Sequence, residues 1–123
     1  MARFCYSLLF YLLLPAILLR LLYRAIKAPA YRARWTERFG FFSSTSSNQG
    51  GIWLHAVSVG ETIAAAPLVK RLQAAYPELP ITVTTMTPTG SERVQALFGD
   101  SVFHVYAPYD MPDAVGRFLK RTQ

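Results

Sequence analysis

Residues 81–99 read ITVTTMTPTGSERVQALFG, and the change of period inside this stretch decides the fold. Ile81-Thr82-Val83-Thr84-Thr85 is a β-branched run, which suits a pleated, half-buried strand. Thr87-Pro88-Thr89-Gly90 reads as a turn. Thr89 and Glu92 stand at capping-box spacing, which predicts a helix over 90–98, and Gly99 is placed to end it. The same strand, turn and helix pattern lies on either side. Upstream, 52–57 is a short apolar run that reads as a buried strand. Gly60-Glu61 follows. Then 62–75 places Ile63, Ala66, Val69, Leu72 and Tyr76 at helical spacing, with Lys70, Arg71 and Gln73 outside. Pro67 sits early in that helix, and Tyr76-Pro77 ends it. Downstream, 102–106 reads as a third strand, and Asp110 is placed to cap a last helix holding Val115, Phe118 and Leu119.

Strands alternating with helices imply an α/β unit with a parallel sheet and right-handed crossovers. In such sheets ligands bind beyond the carboxyl ends of the strands. Residues 58–61, 86–90 and 107–110 therefore line one rim.

Ahead of this unit, 4–19 carries no charge, and extension to Tyr23 is interrupted only by Arg20. That length matches the roughly 20 residues a bilayer-spanning helix needs. Arg20 lies near one end, where its long side chain can snorkel to the headgroups, and a membrane helix tolerates Pro15. The flanks set the orientation. Arg3 precedes the run, whereas Arg20, Arg24, Lys27, Arg32, Arg34 and Arg38 follow it, so the positive-inside rule puts the rest of the chain in the cytoplasm. The same basic load opposes cleavage and export at Ala28-Pro29-Ala30, despite its small residues. Domain boundaries follow: an anchor over 1–24, a basic-aromatic segment and linker over 25–50, and an α/β unit over 51–123.

Of the 123 residues, 52% are hydrophobic and 16% charged, which excludes a disordered chain. The net charge of +6 favours anionic partners. In 28–42 basic and aromatic residues interleave, which suits anionic headgroups; Arg24, Lys27, Arg32, Arg34, Trp35 and Arg38 are the candidate contacts. The adjoining anchor favours lipid over nucleic acid. Packing of Trp35, Phe39 and Phe42 onto the α/β unit is an equal alternative. The polar run 43–51 reads as a flexible linker or loop. Cys5, the single cysteine, has no partner for a disulfide or a thiolate metal site.

On the rim, Glu61 follows a strand and opens a helix beside Gly60, where a ligand can approach the backbone. Such a carboxylate can take a proton from a hydroxyl nucleophile. Ser58 and Glu61 also have capping-box spacing, and from spacing alone that role is favoured. Residues 84–90 offer hydroxyls and amides at a helix start, suited to a phosphate or sugar or equally to a capped turn. There is no GxGxxG and no P-loop motif. His55 and His104 read as structural histidines inside strands, without a cluster for a metal, and Asp110 and Asp113 as helix-start residues.

These residues resemble a known family. Lys27-Ala28-Pro29-Ala30-Tyr31-Arg32, Arg34-Trp35-Thr36-Glu37-Arg38-Phe39-Gly40, Leu54-His55-Ala56-Val57-Ser58-Val59-Gly60-Glu61, residues 82–93 and Tyr106-Ala107-Pro108-Tyr109-Asp110 are similar to the first part of bacterial Kdo (3-deoxy-D-manno-octulosonic acid) transferases. The resemblance covers nearly the whole chain in order; 43–48 is its least similar part. It implies the N-terminal Rossmann-like half-domain of a GT-B glycosyltransferase, transferring Kdo from CMP-Kdo to a lipid A precursor with inversion at the anomeric carbon. It implies no metal and no cofactor. It makes Glu61 the general base and reverses the preference for capping. It assigns Ser58, Gly60, Thr85, Thr87, Thr89 and Gly90 to the acceptor side, and sets the chain at the bacterial inner membrane with the α/β unit cytoplasmic. The chain stops at Gln123 before the family's donor-binding half, so the expectation is a piece inactive alone, with most of the CMP-Kdo site elsewhere. The competing expectation is a membrane-tethered module that binds lipid or a partner without catalysis.

Overall fold

The computed structural model describes residues 1–27 and 34–123. Its elements are α1 (Ala2–Lys27), a 3-10 turn (Trp35–Phe39), β1 (Ile52–His55), α2 (Val59–Ala75), β2 (Ile81–Thr85), α3 (Pro88–Phe98), β3 (Phe103–Tyr106) and α4 (Pro112–Thr122). The strands form one parallel sheet in the order β1-β2-β3. Ile52 pairs with Ile81 and Thr82 with Phe103, so all three carboxyl ends open on one side.

Both faces of the sheet are covered, which explains why β2 is buried along its whole length. On one face Ile81 and Val83 meet Val69 of α2 and Val94 and Phe98 of α3, with Ile52 and Leu54 at the margin. On the other face α4 lays Phe118 against Trp53, ring centroids 4.8 Å apart. The threonines of β2 would leave buried hydroxyls unsatisfied there. Two of the three have partners: Thr84 Oγ1 accepts from Trp53 Nε1 at 3.0 Å and lies 2.8 Å from His55 Nδ1, and Thr85 Oγ1 lies 3.0 Å from His104 Nε2.

Three expected helix starts shift. α3 begins at Pro88 rather than Gly90, because Thr87 is the cap: its Oγ1 accepts from Gly90 N–H at 3.1 Å. Thr89 and Glu92 therefore form no capping box. α4 begins at Pro112 behind Met111, so Asp110 is not its cap. In both cases a proline at the first helical position fixes φ where no backbone donor is needed. α2 begins at Val59, earlier than the expected 62, and Ser58 makes no side-chain cap bond.

The segment before the sheet is built in rather than loose. Phe42 packs on Phe103 and Phe118, and Phe39 meets Tyr109 edge-on at 5.4 Å. Arg117 Nε donates to Phe39 O and Arg121 Nε to Phe42 O, with Arg117 stacked 4.3 Å over Phe41. The expected flexible linker is pinned as well: Ser44 Oγ donates to Arg121 O, and Gly50 N–H to Thr122 O. Gly40 allows this approach. Its φ is +80°, and a Cβ there would lie 2.6 Å from Ala114 O.

α1 is long and apolar enough to span a membrane, and Pro15 lies inside it without ending it. Leu21 and Ala25 are its buried residues, while Phe4, Leu12, Leu19 and Ile26 are exposed.

Candidate active site at the sheet rim

The three rim loops meet through backbone contacts. Met86 N–H donates to Val57 O, joining the β1–α2 and β2–α3 loops, and Ala107 N–H donates to Thr85 O. Arg38 ties the second loop to the third. Its Nη2 donates to Met86 O at 2.8 Å, and its own carbonyl accepts from Tyr109 N–H at 2.7 Å. The guanidinium lies 4.4 Å over the Tyr106 ring and is 3% exposed.

Glu61 stands exposed in the first turn of α2. Its Oε2 accepts from Val57 N–H at 2.6 Å. This is a shifted capping box: the carboxylate reaches back one residue beyond the cap, while Thr62 Oγ1 donates to Ser58 O. One carboxylate oxygen is thereby fixed, and the other has no protein partner among the described residues. Gly60 beside it is exposed, and a Cβ there would meet nothing within 4 Å. The fold does not need this glycine, and it leaves clear space next to the carboxylate.

The other expected acceptor residues divide. Thr89 is exposed and Ser58 and Thr87 half-buried, all at the rim surface. Thr85 is fully buried with its hydroxyl on His104. Gly90 is buried too, its Cβ position 3.5 Å from Ser58 C and 3.0 Å from Thr87 Oγ1. These two residues bring the loops together and do not reach the surface.

Among the expected lipid contacts, Arg24 and Lys27 are exposed in the last turn of α1, with Lys27 Nζ 5.0 Å over Tyr23. Arg32 lies outside the described residues. Trp35 is half-buried and Arg38 buried. Arg34 turns inward, a correction to its expected role. Its Nε bonds Glu37 Oε1 at 2.8 Å, Nη1 donates to Ser91 Oγ at 2.8 Å, and Nη2 donates to His104 O at 3.0 Å. It sits in the left-handed region, φ 61°, rare for a side-chain-bearing residue. Glu37 then accepts from Tyr106 N–H at 2.9 Å with its second oxygen, closing the outer edge of β3.

His104 belongs to this cluster. Arg34 can only donate, so Nδ1 accepts from its guanidinium at 3.2–3.3 Å and the Nε2 proton points to Thr85 Oγ1. Burial, and secondarily the Arg34 charge, lower the His104 pKa from 6.5 to about 4. As expected, both histidines are satisfied within the fold.

A profile of the 3-deoxy-D-manno-octulosonic-acid transferase (kdotransferase) family matches residues 33–123. The chain belongs to the Kdo transferase family. A 3-deoxy-D-manno-octulosonic acid transferase of Haemophilus influenzae is 52% identical over 124 residues, covering 100% of this chain and 29% of the relative. A probable mitochondrial 3-deoxy-D-manno-octulosonic acid transferase of Arabidopsis thaliana is 36% identical over 93% of the chain and 26% of the relative. The transferase of Bordetella pertussis is 43% identical over 57% of the chain and 17% of its own length. The chain thus spans less than a third of these Kdo transferases. No solved structure matches it.

Sequence reasoning put Met86 and Tyr109 on the rim and Arg20 at the end of the apolar run, but not that the fold gathers them with Arg24, Arg38 and Thr87 around one cavity. The repeated arginines of 20–38 were the available signal, but only folding separates those that face inward from those that line the cavity.

The lowered His104 pKa has a sign. Below pH 6.5 the unfolded chain binds a proton that the folded chain refuses until about pH 4. This contribution to stability is present above 6.5 and is lost as pH falls towards 4. His104→Asn, which keeps an acceptor at the Nδ1 position, should give a flatter dependence of Tm on pH in that window than the parent. An identical slope in scanning calorimetry contradicts the assignment.

Proposed function

We propose that this chain is the acceptor-side part of a GT-B glycosyltransferase that moves Kdo from CMP-Kdo to a lipid A precursor. The sequential parallel order β1-β2-β3, with helices on both faces, supports a Rossmann-like half-domain. The observation that carries the reaction is the Glu61 carboxylate: exposed, anchored through one oxygen by Val57 N–H, and next to the open space over Gly60.

The chemistry follows from that geometry. An acceptor hydroxyl lies against the free oxygen of Glu61 and gives up its proton there. The hydroxyl oxygen bonds the anomeric carbon of Kdo as the bond from that carbon to the CMP phosphate oxygen breaks, and CMP leaves with the electron pair. A single displacement inverts the anomeric carbon. The Val57 bond holds the base still, so that little reorientation is needed at the moment of transfer. Thr87, Thr89 and Ser58 line the same rim with hydroxyls that suit a sugar.

Glu61→Gln tests this reading, because the amide oxygen can keep the Val57 bond while losing basicity. In a chimera that carries this chain in place of the matching part of the Haemophilus transferase, kcat should fall by about 10²–10⁴ with little change in KM. An unchanged kcat means that Glu61 only caps α2.

The reading also makes α1 an inner-membrane anchor, because the acceptor is a lipid. Charge asymmetry supports a single crossing with the α/β unit cytoplasmic. A specific contact favours a second disposition. Tyr11 Oη donates to Asp113, and Phe10 packs on Tyr109, so this part of α1 runs beside the rim and suits a helix lying along the membrane face. Cys5 decides between them. A single crossing predicts labelling of Cys5 by a membrane-impermeant maleimide in intact spheroplasts. An in-plane helix predicts labelling only after permeabilisation.

A further inference from the structure

Where the last turns of α1 meet the rim lies a cavity of about 320 Å³. Three arginines, Arg20, Arg24 and Arg38, line it together with Thr87, and its apolar lining includes Phe10 and Ile17. No carboxylate lines it among the described residues. The three charges act at one point: burial raises the Tyr109 pKa, and Arg38, Arg20 and Arg24 each pull it back down.

Two polar groups here are incompletely used. Arg38 is 3% exposed, yet its Nε has no hydrogen-bond partner. A buried donor of a charged group left unpaired is costly. Thr87 Oγ1 accepts from Gly90 N–H and from Thr89, which leaves its own proton to donate. The described residues that line the cavity therefore include three arginines and a hydroxyl donor and no carboxylate.

We propose that this cavity is a phosphate site for a membrane amphiphile, with the phosphate between Arg20, Arg24 and Arg38 and an acyl chain along Phe10 and Ile17. Guanidinium groups match phosphate oxygens in pairs, and three of them suit a group with more than one negative charge. The position is right for a lipid: Arg20 and Arg24 end the apolar run of α1, so either disposition of that helix holds them at headgroup level. The phosphate and acyl requirements rest on the cavity alone. The identity of the lipid as the transfer acceptor rests on the function proposed above.

The test uses the full chain in neutral detergent with ¹⁵N-labelled arginine, following the Arg38 Nε–Hε resonance by NMR. The probes are a bisphosphorylated lipid A precursor, the same lipid dephosphorylated, phosphatidylglycerol and inorganic phosphate. The expected result is a saturable shift with the bisphosphorylated lipid and none with its dephosphorylated form. A matching shift with phosphatidylglycerol makes this a general headgroup site; its absence makes it an acceptor site. The exposed pair Arg20→Gln/Arg24→Gln should weaken binding by on the order of tenfold, with circular dichroism unchanged. The proposal is overturned if no phospholipid shifts the resonance, if the dephosphorylated lipid or inorganic phosphate does so equally, or if the double variant binds as tightly as the parent. The readout is binding and not transfer, so failure of the transfer chemistry leaves this test standing.

Discussion

The buried guanidinium of Arg38 is the constraint on which the rim depends. A charge at 3% exposure is tolerable only where the surroundings engage it. Here the Tyr106 ring takes its face, Met86 O takes Nη2, and its own backbone carbonyl receives Tyr109 N–H. These contacts join a segment that precedes the sheet to two loops at its carboxyl end. The β1–α2 loop, which carries Glu61, is joined at one remove through Met86 N–H and Val57 O. One residue, through its side chain and its backbone carbonyl, thus adds to the backbone bonds between the loops and ties them to the segment before the sheet.

The residues before the sheet complete the same structure by a second route. Arg34 and Glu37 form a short relay from Ser91 and His104 to the β3 edge. Arg117 and Arg121 hold the carbonyls of Phe39 and Phe42 from the other side. The aromatic residues lie between these arginines, so interleaving that suits a lipid surface serves packing at most positions. Arg20 and Arg24 at the end of α1 line the rim cavity together with Arg38.

How much of this was legible depends on the range of the interactions involved. β2 occupies the expected 81–85, because a β-branched run between turn residues settles its state locally. The rim followed from topology alone, since parallel strands must end on one side. Helix starts were less legible. At Pro88 and Pro112 a proline outcompeted the capping residues beside it, and at α2 Glu61 reached past the cap to Val57. The role of Arg34 was not legible at all. Its partners Ser91 and His104 lie 57 and 70 residues away, and a single sequence carries no mark of such pairs. Thr85 and Gly90 illustrate the same limit: the motif identified the right loop, but burial divided it into residues that support and residues that face out.

Amide hydrogen exchange on Arg38→Met, set against the parent chain, tests the dependence of the rim on Arg38 most directly. Methionine keeps an apolar stem in the same space and removes the charged fork. The account predicts that the amides of Met86 and Tyr109 exchange faster by on the order of tenfold or more, while those at the centre of β2 keep their protection. Unchanged protection at Met86 and Tyr109, or equal loss across β2, would contradict it.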